Sequence, residues 1–138
     1  MLISEGLEIL TEDECMALFG STTVGRVGIT IGALPAIFVV NYVLVDGDIV
    51  FRTSDGTKLE AALRHAVVAF EADLTDPVHH QGWAVQAVGI ADELDPTDVT
   101  FSGPTPWAQG EREHFVRIRP EFVSGRRIVR DLSRDLTT

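Results

Sequence analysis

A chain of 138 residues, 45% hydrophobic and 23% charged, has the size and balance of one globular domain; this excludes a disordered tail, a collagen-like rod and a disulfide-framed mini-protein. Eleven basic against twenty-one acidic residues leave a formal net charge of −10, which works against a polyphosphate partner, so no nucleic acid is expected. No apolar run approaches the ~20 residues of a membrane span. The start Met1-Leu2-Ile3-Ser4-Glu5 lacks the pattern of a signal peptide, and Cys15 has no second cysteine to pair with; the expectation is a cytoplasmic protein with no membrane partner.

In chain order, Leu7 to Gly20 predicts a short capped helix. Thr11 and Glu14 have capping-box spacing, Leu10 and Cys15 flank the start as a hydrophobic staple would, and Gly20 ends it. Cys15, Leu18 and Phe19 share a face, so Cys15 reads as core. From Thr23 the pattern is β. Val27, Ile29 and Ile31 alternate with Arg26, Gly28 and Thr30, as in a half-buried strand. Gly32-Ala33 can turn the chain, and the apolar run Leu34 to Val45 predicts a long strand buried on both faces. Asp46-Gly47 is a hairpin signal, with Ile49-Val50-Phe51 returning.

A short helical stretch around Leu59 to Arg64 precedes a strand at Val67 to Phe70. Leu74 to Gln81 reads as a polar connection, and Trp83 to Leu94 resumes β with Gly89 as a bulge. Pro96 to Gly110 reads as an excursion from the core. Phe115 to Ile118 and Val123 to Val129 predict two final short strands. The sum is mainly β: one domain over 1–130, a polar tail over 131–138, and six or seven strands forming a closed or partly closed antiparallel barrel with two short helices.

The stretch Phe51-Arg52-Thr53-Ser54-Asp55-Gly56-Thr57-Lys58 carries the clearest chemistry. A strand end delivers Arg52 and Thr53 to a Gly-containing turn, and Thr57 and Lys58 open a helix whose free N–H groups and dipole suit a phosphate. Lys58 is the only lysine in the chain. The same pattern also fits an ordinary capped helix start with a solvated lysine. The four histidines show no metal-ligand spacing, so no metal site is expected. The Arg126-Arg127 pair, with Arg130 and Arg134, either binds an anion or pairs with the chain's own carboxylates.

The succession Val39-Val40-Asn41-Tyr42, Asp46-Gly47, Phe51-Arg52-Thr53, Thr57-Lys58, Gly82-Trp83-Ala84-Val85 and Gly89 resembles the pyridoxamine 5′-phosphate oxidase-like split-barrel flavoproteins, in their short actinobacterial form. The resemblance runs from Leu10 to about Arg130. It implies a six-stranded split β-barrel that forms a homodimer, with FMN in the dimer cleft and a small-molecule substrate. By the same resemblance Val39, Val40 and Asn41 line the isoalloxazine, and Thr53, Thr57 and Lys58 hold the phosphate beside Arg52. Trp83 and Ala84 approach the cofactor from the neighbouring subunit. Pyridoxamine-phosphate oxidases carry a tryptophan and then an Arg-x-His-x-Arg segment. Setting Trp107 on that tryptophan places Glu113, Phe115 and Arg117 at the three positions. Arg117 can serve the flavin, whereas Glu113 and Phe115 point away from a phosphorylated pyridine as substrate. Phe38 stands where relatives often have proline, and Ala84 where many have serine or glutamine. No catalytic side chain stands out. The expected activity is a flavin-dependent oxidoreductase; the alternatives are a reductase using the deazaflavin F420, or a protein that stores flavin or haem without turnover.

Overall fold

The computed structural model describes residues 2–4, 6–53, 63–94 and 114–128. Among the described residues eight strands and one helix follow in the order β1 (Leu2–Ser4), β2 (Leu7–Ile9), α1 (Glu12–Phe19), β3 (Val24–Ile31), β4 (Leu34–Val45), β5 (Asp48–Thr53), β6 (Ala66–Asp76), β7 (Gln81–Leu94) and β8 (His114–Ile128). Every pairing is antiparallel, in the order β1-β2-β8-β5-β4-β3-β6-β7. An additional β8–β7 pairing closes β3 to β8 into a ring of six. β8 is shared: one edge pairs with β7 along nearly its whole length, while the other meets β5 at 114–118 and β2 at 126–128. That division makes the barrel a split one.

The hairpins follow from turn chemistry. Asp46 and Gly47 (φ 50° and 83°) turn β4 into β5, and Gly32 and Ala33 (φ 54° and 68°) turn β3 into β4; both pairs are left-handed, as a two-residue turn matched to strand twist requires. Between β6 and β7, the Asp76 carboxylate accepts from the Val78 and His79 N–H groups at 3.1 and 3.2 Å. At Gly89 the β7–β8 register shifts, and a side chain there would collide with the Arg119 carbonyl. Gly89 lies opposite Pro120, so the bulge falls where proline has no N–H to offer.

Thr11 caps α1 in a full capping box with Glu14. The helix packs on β7 and β8, adding Cys15 and Phe19 to a core that holds Val27, Tyr42, Ile49, Phe51, Phe70, Val85, Val116 and Ile118. Tyr42 meets Phe70 edge-on at 4.8 Å and donates its hydroxyl to the Phe19 carbonyl at 2.6 Å. Burial pushes the Tyr42 phenol and the Cys15 thiol up from their ordinary pKa values, so both stay neutral.

Several expectations need correction. The helix begins at Glu12, and Leu7–Ile9 is strand. The connection expected over Leu74 to Gln81 shrinks to residues 77–80, because β6 continues to Asp76 and β7 starts at Gln81. The two final strands are one, since Pro120 is accommodated opposite the bulge. β4 has the expected length but is not buried on both faces: Ile37 and Val39 are 73% and 67% exposed. Most of the second expected helix, the 96–110 excursion and the C-terminal tail lie outside the described residues.

Candidate functional site

The outward face of β4, β5 and β8 gathers the first group of candidate residues. Tyr42 and Phe51 are register partners and both point into the core. Strand alternation therefore turns Asn41 and Arg52 outward. Arg52 pairs with Phe115, and its guanidinium lies 5.1 Å from the centre of that ring. Arg117, two residues along β8, pairs with Val50 and shares the face. Phe115 and Val50 are 5% and 1% exposed, so the Arg52 guanidinium lies over a buried ring and Arg117 stands beside a buried valine.

Two carboxylates share this face with the arginines: Asp48 of β5, and Asp92 of β7, the register partner of Arg117. Arg117 Nε is buried and has no hydrogen-bond acceptor among the described residues; the Asp48 carboxylate lies 3.9 Å from it. A buried donor left without an acceptor costs ~1–3 kcal/mol. Such a donor beside a second arginine fits an anionic ligand. β5 ends on this surface at Thr53, whose register partner is His114. The chain then enters 54–62, so Thr57 and Lys58 lie outside the described residues, as does Trp107.

A second group sits on β7. Ala84 faces outward, between Asp73 of β6 and Arg126 of β8. Trp83, half-buried against the core, lies between Leu74 and Arg127. β6 and β3 intervene between Ala84 and Asn41, and there Arg26 spans toward Asp73 at 3.3 Å and Glu71 at 3.9 Å. Next to Trp83 opens a cleft of about 380 Å³ lined by Leu74, Asp76, Gln81, Gly82, Trp83, Arg127 and Ile128.

The sequence-predicted residues thus fall into two sets. Val39, Asn41, Arg52 and Arg117 share one outward face, while Trp83 and Ala84 occupy another part of the barrel. Val40 turns inward and packs against the core, so its side chain does not belong to the outward face. Arg126 and Arg127 take opposite faces of β8 and line no common groove. His65 contacts Asp92 at 2.7 Å and His79 contacts Asp76 at 2.5 Å; no metal-binding cluster occurs among the described residues. Sequence reasoning missed Phe115 as a support for Arg52, Asp48 as an ion-pair partner of Arg117, and Asp76 as a carboxylate held by its turn. The Asp76 turn had a usable signal in Asp-Pro-x-His.

One further surface belongs here. Ile37, Gly28, Ala69, Val88 and Phe122 are successive register partners from β4 through β3, β6 and β7 to β8. They form an apolar row across five strands, exposed by 73% at Ile37 and 71% at Phe122. Val39, Val67 and Ile90, also exposed, flank it. Among the described residues, no helix is long and apolar enough to cross a membrane.

Comparison with known proteins agrees with this architecture. An uncharacterized protein of Mycobacterium tuberculosis, Rv0080, is 42% identical over 130 residues, covering 88% of this chain and 86% of its own length. A structure described as the FAD binding protein from Mycobacterium smegmatis is 33% identical with a TM-score of 0.70, over 88% of this chain and 98% of that one. A conserved protein of unknown function from Corynebacterium diphtheriae is 30% identical with a TM-score of 0.74, over 90% and 99% of the two chains. The family model for pyridoxamine 5′-phosphate oxidase matches residues 11–127, from the α1 cap to the end of β8. Spanning that stretch with a split barrel, the chain belongs to the pyridoxamine 5′-phosphate oxidase family.

Proposed function

We propose that this chain is a flavin-dependent oxidoreductase, with its cofactor phosphate held at the Arg52–Arg117 face and its ring site completed by a second copy. The observation that carries this reading is the pair of arginines on one face beside buried Phe115 and Val50, with Arg117 Nε lacking an acceptor among the described residues. Thr53, Thr57 and Lys58 follow directly in the chain and would add hydroxyl and ammonium donors to the same phosphate. FMN and FAD carry the same phosphate next to the ribityl chain, and a 33% identical relative is described as an FAD binding protein. The flavin supplies the electron transfer; the protein supplies binding, orientation and exclusion of water. Val39 and Asn41 would orient the ring from the outward face of β4.

The apolar row from Ile37 to Phe122 supports a homodimer, because an exposed apolar surface continuous across five strands is unusual on a monomer. Trp83 and Ala84 of the second copy would then meet the cofactor held by the first. The substrate would be a small molecule other than pyridoxamine phosphate. Phe115 stands where a substrate-gripping histidine is expected, and it is buried beneath Arg52. F420 finds less support, since Arg126 and Arg127 do not line one groove for its acidic tail. Location in the cytoplasm accords with this chemistry.

Titration of the purified protein with FMN, FAD, riboflavin and F420, with light scattering for mass, tests the reading. The expected result is a dimer that binds FMN or FAD far more tightly than riboflavin. A protein that neither quenches flavin fluorescence nor is stabilised by any flavin overturns it. Anaerobic reduction of the bound flavin by NAD(P)H separates an enzyme from a storage protein.

A further inference from the structure

The cleft beside Trp83 offers three kinds of group in one place. Leu74, 63% exposed, makes an apolar wall on one side of the half-buried indole and Arg127 stands on the other, while Ile128 borders the cleft from the next position of β8. Asp76 presents a carboxylate that cannot swing away: Oδ1 accepts from the Val78 and His79 N–H groups, and Oδ2 meets His79 Nδ1 at 2.5 Å. Those bonds fill Oδ1 and leave one lone pair on Oδ2. Arg127 lines the cleft with a side chain 36% exposed, and among the described residues it pairs with Glu8 at 3.7 Å. A pair this exposed is weak and yields readily to a better anion. The volume of about 380 Å³ lies at the lower end of the ~300–1,000 Å³ range of small-molecule sites.

An apolar slot with an aromatic floor, a fixed acceptor and a cation match a flat heteroaromatic ring bearing an amino group and a phosphate. We propose that this cleft is an adenine-nucleotide subsite. The purine stacks on Trp83 beside Leu74, its exocyclic amine donates to Asp76, and its phosphate meets Arg127 on the other side of the indole. Two sources carry this chemistry: the adenylate half of FAD and that of a nicotinamide dinucleotide acting as hydride donor. In the first case the inference rests on the flavin reading above and assigns Trp83 to the end of the cofactor remote from the ring.

Calorimetric titration of the full chain with AMP, FMN, FAD and NADH tests this, using wild type, Arg127→Gln and Glu8→Gln. Wild type is expected to bind AMP, and to bind FAD about tenfold or more tighter than FMN. Arg127→Gln should weaken AMP and FAD ~10-fold to 100-fold while FMN stays within about twofold. Glu8→Gln releases Arg127 from its competitor and should strengthen AMP and FAD by up to ~5-fold, whereas a purely structural ion pair would weaken them. Displacement of AMP by FAD assigns the subsite to the flavin; displacement by NADH alone assigns it to the hydride donor. Equal FMN and FAD affinities in wild type with no AMP binding overturn the proposal and leave the flavin reading standing. Failure of every flavin while AMP binds in an Arg127-dependent manner overturns the flavin reading and sustains the cleft.

Discussion

Replacing Arg117 with methionine separates the two roles a buried arginine can play. The change keeps the length of the side chain and removes the guanidinium. Among the described residues Arg117 forms an ion pair with Asp48 at 3.9 Å, with the two side chains 28% and 29% exposed. Solvent screening leaves such a pair worth ~0–1 kcal/mol. Against it stands a buried Nε with no acceptor, at a cost of ~1–3 kcal/mol. The two nearly cancel, so Arg117→Met should change folding stability by no more than about 1 kcal/mol, in either direction. Binding should behave differently. A charge-assisted hydrogen bond to phosphate contributes ~1.5–3 kcal/mol, so the dissociation constant of FMN should rise ~10-fold to 100-fold. Riboflavin has the ring without the phosphate and should be unaffected. The assays are urea midpoints for stability and fluorescence titrations for the two ligands. A stability loss above about 2 kcal/mol, or an equal loss of affinity for both ligands, would show that Arg117 serves the fold.

Further outcomes follow from other positions. Lys58→Ala should raise the FMN dissociation constant ~10-fold to 100-fold with riboflavin unchanged, and Lys58→Arg should recover only part of the loss, in the same titration. Ile37→Glu places a charge at the β4 end of the exposed apolar row; light scattering should report a monomer that has lost flavin binding while keeping its circular dichroism. Gly89→Val sets a Cβ 1.9 Å from the Arg119 carbonyl oxygen and should cost at least ~3 kcal/mol by urea midpoint, or prevent folding. Hydrogen bonds from Thr11 hold the Glu14 carboxyl below its ordinary value of 4.5. Its contribution is therefore present above that value and lost as the pH falls through the lower folded one. Glu14→Gln keeps the box without the ionisation, and should flatten the acid limb of a stability–pH profile.

What the sequence revealed depended on how local each signal was. The capping box, the Asp46-Gly47 turn, the alternation of β3 and the Gly89 bulge are each written within a few residues, and each stands where expected. β4 misled because an apolar face reads the same in sequence whether or not the chain itself covers it. Ile37 and Val39 look like core residues until the ring closes with them outside. β8 was broken in two because Pro120 signals a stop, and its acceptability depends on Gly89, a residue on another strand. The meeting of Arg52 with Arg117 rests on the β5–β8 register, which no local pattern encodes; only the family resemblance placed both at one ligand. Arg126 and Arg127 show the converse, because adjacency along a strand means opposite faces.

The position of β8 in the sheet has a consequence for how the molecule is made. This strand supplies the missing partner for β7, for β5 and for β2. Until residues 114–128 have been synthesised, each of those strands carries an open edge, and the Phe70–Tyr42 core has no wall on that side. Joining β5 to β8 also means closing a loop that spans residues 54–113, an entropic cost met only when the whole strand zips into place. The hairpins of β3, β4 and β5 and of β6 and β7 can pair as they emerge, but the sheet keeps open rims until β8 arrives to close the ring. During that interval it is open to edge-to-edge association with its own copies.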